Sequence, residues 1–331
     1  MYAEYYNLTG LPFQLTPDSR FFFESSVHSK AMAHLTYGLN QAEGFIVITG
    51  DVGAGKTTLV EHLCSTLDPE QYVIARILST QISAEDTLRL VASGFGLQAE
   101  GLTKGELMRR FEDMLVANFN DGRRSLLVID EAQNLTVPAI EELRMLSNFT
   151  VNHSPPLQSF LLGQPQFRGI MALPELEQLR QRVLASFHLG PLTETDTRAY
   201  IEHRLSLVGW QNDPRFTDGS FWQIYRETGG VPRKINALCS RLMLFGFLEE
   251  THLVDEQTVV QVADELKTEL GDVTAAAPAS SLADGKGAAP AGGRDELDAR
   301  LSKIEQKLDR NDQAIKRALA LIAASLDKDS Q

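Results

Sequence analysis

Residues 44–59 read GFIVITGDVGAGKTTL, a short apolar run that breaks into glycines and restarts as a helix-forming segment. Gly50, Gly55, Lys56 and Thr57 stand at the spacing GxxxxGK[ST], and Gly53 adds a third glycine between them. Residues without a side chain let successive backbone N–H groups converge on a phosphate, and the helix N-terminus that follows adds positive potential there. The loop Gly50, Asp51, Val52, Gly53, Ala54, Gly55, Lys56, Thr57, Thr58 therefore reads as a cradle for the phosphates of a nucleotide. Lys56 is placed to supply charge between the β- and γ-phosphates, and Thr57 Oγ1 to ligate Mg²⁺. Strand, loop, helix is the context the pattern needs, so this one stretch already asks for an α/β fold.

Working outward, residues 1–190 alternate short apolar runs with amphipathic stretches, the signature of a parallel sheet flanked by helices. The expected strands are GFIVITG (44–50), YVIARIL (72–78), SLLVID (125–130), QSFLLGQ (158–164) and ASFHLG (185–190). Their unbroken apolar character suits strands covered on both faces. After Pro191 only helical patterns are expected, starting at Thr193 with Asp196 three positions on, a variant of the capping signal. That helical part spans 191–270. Residues 271–293 are rich in Ala, Gly, Pro and Ser and read as a flexible linker. In 294–328 Leu297, Leu301, Ile304, Leu308, Asn311 and Ile315 recur at spacings of four and three, which predicts a coiled-coil helix with a register shift near Ala318.

The chemistry gathers at strand ends. LLVIDEAQ (126–133) carries a strand to Asp130, placed to orient the Mg²⁺ shell, and then to Glu131, placed to polarise an attacking water. Gln164 ends the strand expected beside the phosphate-loop strand, where it would contact the γ-phosphate or the water. In LEQLRQRV, Arg180 and Arg182 are both candidates for an arginine inserted into a neighbouring subunit's site. In ETGGVPRKIN, two glycines break the chain and Pro232 starts a helix, leaving Arg233 in its first turn to reach the γ-phosphate.

Composition narrows the partners. The chain has 331 residues and a net charge of −13, and the first 270 residues hold 34 acidic against 22 basic side chains. That balance disfavours broad contact with a phosphodiester backbone and leaves DNA binding to a local basic patch. Cys64 and Cys239 stand far apart in apolar surroundings and read as two buried thiols. The N-terminus MYAEYYNLTG lacks the pattern of a secretory signal, and no apolar run approaches the roughly 20 residues of a membrane span. A soluble, cytoplasmic protein is expected, reaching the inner membrane only through partners.

Taken together, the phosphate loop, DEAQ, GQP, the arginine-bearing segment and GGVPR resemble the AAA+ ATPases typified by general secretion pathway protein A. The opening YYNLTGLPFQLTPDSRFFF, followed by HSKAMAHLTYGL, looks like the start of that family, where it forms a lead-in near the adenine. LEQLRQRVLASFHLGPL and ETGGVPRKINALCSRLMLFGFLEE are similar to the ATPase that accompanies exosortase (PEP-CTERM) and exopolysaccharide loci. The resemblance implies a P-loop AAA+ fold: a five-stranded parallel core sheet, a helical lid, and here a linker and coiled-coil tail. It also implies ATP and Mg²⁺ as ligands, and family roles for Lys56, Thr57, Asp130, Glu131, Gln164 and Arg233. Secretion-type members continue into a membrane span and a peptidoglycan-binding domain, whereas this sequence continues into the linker and tail. An envelope role is therefore expected to run through secretion or polysaccharide machinery proteins, with self-association through a ring or the tail. A DNA-associated switch and a slow-hydrolysing scaffold are the competing functions.

Overall fold

The structure, a computed structural model, describes residues 1–16, 18–78 and 83–274. The chain opens with a single turn, α1 (Tyr2–Tyr5), and α2 (Ser26–Gln41) leads into β1 (Phe45–Gly50). There follow α3 (Lys56–Thr66), β2 (Tyr72–Leu78), α4 (Ala84–Gly94), α5 (Lys104–Asn120), β3 (Arg124–Asp130) and α6 (Val137–Leu146). Next come β4 (Leu157–Gly163), α7 (Gln166–Met171), α8 (Glu177–Arg180) and β5 (Val183–Leu189). Every pairing is parallel, in the order β2-β3-β4-β1-β5. All five predicted runs are strands, and β5 begins earlier than expected because Val183 already pairs with Phe45.

Side chains alternate across this sheet, as the strand period of two requires. β1 sends Phe45 and Val47 to one face, where they pack with Leu88 and Val91 of α4, Phe111 of α5 and Ile140 of α6. Ile46 and Ile48 go to the other face, against Leu35 of α2 and Leu59 and Leu63 of α3. Both faces are apolar because both are covered. From β1 the chain crosses to the far edge of the sheet at β2 and returns strand by strand through β3 and β4. The carboxyl ends of β1, β3 and β4 thus open on one rim, the place where ligands settle in such sheets.

Beyond the sheet run α9 (Glu194–Ser206), β6 (Arg215–Phe216), α10 (Asp218–Thr228), α11 (Pro232–Leu248), β7 (Leu253–Val254) and α12 (Glu256–Thr274). The expectation of helices alone needs one correction: β6 and β7 pair as a short parallel ribbon. Only two residues long on each side, it leaves no run of alternation to read. Thr193 caps α9 by accepting from the Asp196 N–H, and the Asp196 carboxylate accepts from Thr193 in return and from Ser26 of α2. α12 runs to Thr274, past the expected helical boundary at 270. The remainder of the predicted linker and the whole predicted coiled coil lie outside the described residues.

The N-terminal lead-in, placed by the sequence with the sheet, buries its apolar side chains elsewhere. Tyr6, Leu8, Phe13 and Phe21 share a core with Leu192, Ile201, Leu205, Leu238 and Leu242 of the helical part. Met1–Phe247 and Thr251–Leu266 form one compact unit. Cys64 and Cys239 are free and buried.

Candidate nucleotide site

The loop between β1 and α3 turns on two glycines in the left-handed region, Gly53 at φ +82° and Gly55 at φ +97°. A Cβ on Gly53 would stand 2.4 Å from Arg233 Cβ, so only glycine lets α11 approach this closely. Lys56 begins α3 and is buried; its Nζ donates to the Gly50 and Asp51 carbonyls at 2.8 and 3.0 Å. Burial pushes the Lys56 ammonium down in pKa, and Glu131, Asp130 and Asp51 pull it back up.

Across the sheet, the end of β3 meets this loop. Thr57 Oγ1 donates to Asp130 Oδ2 at 2.6 Å. Asp130 Oδ1 accepts from the Glu131 N–H at 2.8 Å. Glu131 sits at φ +54°, a left-handed conformation unusual for a residue with a side chain. Its Oε2 accepts from Gln164 Nε2 at 3.1 Å and also from Gln133 Nε2. Gln133 Oε1 in turn accepts from the Gln164 N–H at 2.9 Å. Two amides therefore aim the carboxylate that the sequence picks out as the base.

Arg233 reaches the loop from α11. Its N–H donates to the Gly53 carbonyl at 3.2 Å, and its side chain is exposed along the cavity wall. Arg180 and Arg182 do something different. Arg180 donates to the Met171 and Leu173 carbonyls at 2.9 and 2.7 Å. Arg182 donates to Ser147 O and Oγ at 3.1 and 3.0 Å. Both guanidiniums thus tie down chain turns of their own subunit.

A cavity of about 400 Å³ is lined by Lys56, Thr57, Thr58, Glu131 and Arg233. Phe21, Phe22, Phe23, Tyr200, Arg204 and Asn236 line it as well. The sequence reading assigned no role to His28, Gln133, Tyr200, Arg204 or Asn236. Gln133 stands in the quoted DEAQ, two positions after Glu131, and the short turn there was its one available signal. His28 lies beside the Gly55 backbone, bonded through Nδ1 to Ser25 Oγ at 2.7 Å and to the Ala54 backbone. It closes the loop from behind.

The donor set fits Mg²⁺ with a nucleotide: hard oxygen ligands from Thr57 and Asp130, few in number, beside a glycine cradle sized for phosphate. Residues 39–171 match the AAA domain family. This part of the chain is an AAA domain. The chain is 36% identical over 257 residues to General secretion pathway protein A of Aeromonas hydrophila, a match covering 77% of this chain and 46% of that protein. The chain thus spans about half the length of that relative. Among solved structures, the ORC1 protein of Aeropyrum pernix in complex with DNA superposes with a TM-score of 0.57 at 15% identity, over 81% of this chain and 72% of that one. Cdc6p of Pyrobaculum aerophilum gives 0.57 at 13% identity, over 75% and 71%. At these identities the likeness is one of fold.

Proposed function

We propose that the protein hydrolyses ATP to ADP and phosphate as part of a multi-subunit assembly and couples that turnover to an envelope process. Polysaccharide export or exosortase-dependent sorting are the processes its sequence resemblance supports, with secretion or export machinery proteins as partners. The observation that carries the enzymatic part is the 2.6 Å contact between Thr57 and Asp130, with Glu131 held beside it in the cavity that Lys56 enters. Mg²⁺ bound with the nucleotide would neutralise phosphate charge at Thr57 and Asp130. Glu131 would accept a hydrogen bond from the attacking water, and Gln133 and Gln164 would keep its carboxylate in line. Lys56 and Arg233 would stabilise the charge that builds on the transferred phosphoryl group.

Glu131→Gln tests this directly. ATP binding should persist, while steady-state turnover falls by about two to four orders of magnitude. Unchanged turnover would remove Glu131 from its role. No described helix is long and apolar enough to cross a membrane, so membrane proximity is assigned to partners. The acidic balance of the first 270 residues weighs against the DNA-associated alternative.

A further inference from the structure

A hydrogen-bond chain along the cavity wall has its direction set at its source. Arg204 is only 6% exposed, and its guanidinium lies 4.5 Å from the centre of the Phe21 ring. Nε donates to the Pro12 carbonyl at 2.6 Å and NH1 donates to Tyr200 Oη at 2.9 Å. A guanidinium has donors and no acceptor, so the Tyr200 oxygen accepts from it and must turn its own proton elsewhere. That proton goes to Asn236 Oδ1, 2.9 Å away. Burial pushes the Tyr200 phenol up in pKa, so the proton stays on the oxygen.

The Asn236 amide is thereby oriented, because its oxygen must face Tyr200. Two N–H donors remain on Nδ2, with no partner among the described residues. Asn236 is 7% exposed and lines the cavity. Nδ2 is thus left available to an acceptor that enters the cavity, while the rest of the residue is packed away. α11 says which part of the ligand supplies it. Arg233 touches the phosphate loop, and Asn236 is three residues on, on the same helix face. The next group along the ligand from the phosphates is the nucleoside. Phe21, Phe22 and Phe23 line the same cavity and supply apolar surface for a flat base.

We propose that Asn236 reads the nucleobase, its Nδ2 donating a hydrogen bond to a ring nitrogen of the purine, with Tyr200 and Arg204 as positioning residues that fix its polarity. This inference rests on the nucleotide-site reading above. A purine ring nitrogen with a lone pair satisfies the donor, whereas a protonated ring nitrogen, such as N1 of guanine, would oppose it.

The test uses the wild-type full chain first, so it does not depend on any variant folding. Calorimetric affinities are measured for ATP, for 1-deaza-, 3-deaza- and 7-deaza-ATP, and for 2′-deoxy- and 3′-deoxy-ATP. One deaza analogue should bind about three- to tenfold more weakly than ATP, the size of one lost neutral hydrogen bond. In Asn236→Leu that difference should vanish, ATP falling to the level of the analogue. In Tyr200→Phe it should shrink, since the amide is then free to turn over. A purely structural role for either residue would weaken all nucleotides alike and leave the difference intact. Equal binding of ATP and all three deaza analogues overturns the proposal, as does a penalty confined to the deoxyribose analogues, which would move the contact to the sugar. Wild-type protein that binds no ATP at all would instead remove the nucleotide-site reading itself.

Discussion

Glu131 keeps a left-handed backbone at φ +54° because its surroundings hold it there from three directions. Such a conformation costs on the order of 1–3 kcal/mol and persists only where neighbours over-determine it. Here the Asp130 carboxylate takes its N–H, and Gln133 and Gln164 take its carboxylate. Gly53 shows the same economy of space from the other side. Gly53→Ala would force a Cβ into Arg233 Cβ and hold an L residue at φ +82°. ATP affinity should fall by about tenfold or more, the equivalent of losing one or two positioning contacts, with the circular-dichroism spectrum unchanged. His28 makes a pH prediction. Burial holds its folded-state pKa below the usual 6.5, with the Ala54 hydrogen bond and Asp196 pulling it back up. As pH falls, the unfolded chain takes up this proton first. His28 therefore contributes stability that is fully present above about 6.5 and is lost as pH falls from there to its lowered folded pKa. Thermal midpoints should drop across that window, and His28→Gln should flatten the drop.

At the scale of elements, the inner strands β1, β3 and β4 are buried on both faces, whereas the edge strands β2 and β5 are only partly covered. Phe160 of β4 is 0% exposed and packs with Ile46, Ile48, Leu59 and Leu126. Phe160→Ala should cost about 3–5 kcal/mol in urea denaturation, the usual range for emptying an aromatic site in a close-packed core. The cap at Thr193 was legible in advance, because a hydroxyl residue precedes the helix by local rule and accepts from the Asp196 N–H. The distant partner of the Asp196 side chain was not, because Ser26 lies 170 residues away. Likewise the lead-in reads locally as a run of aromatic residues. Its burial with α9 and α11 depends on where the helical part folds back, and no spacing encodes that.

For the whole molecule, the question is whether one chain completes its own site. Lys56, Thr57, Glu131 and Arg233 line one cavity of one chain. Arg180 and Arg182 are not among the residues lining it, and both hold carbonyls of their own chain through NH1. Any help they lend to phosphoryl transfer would go to a neighbouring copy. Self-association, inferred from the tail heptads and the family likeness, makes a concrete forecast on this point. ATP turnover per subunit should rise with protein concentration and then level off. A specific activity constant over the whole range would mean that each chain works alone.

The sequence by itself determined the strands of the sheet, the glycine loop after β1 and the Asp130–Glu131 pair at the end of β3. These follow from local rules: apolar runs of strand length, glycines where the backbone must turn left-handed or stand close to a ligand, and carboxylates at a strand's end. Tertiary structure alone decided which distant side chains complete the site. It brought His28 against Gly55, turned Gln133 and Gln164 onto one carboxylate oxygen, and lined up Arg204, Tyr200 and Asn236 so that an amide donor is left for the cavity. The physical reason is that hydrogen-bond direction and burial are properties of packed neighbours, and those neighbours meet only once the sheet is covered on both faces and the lead-in has packed into the core of the helical part.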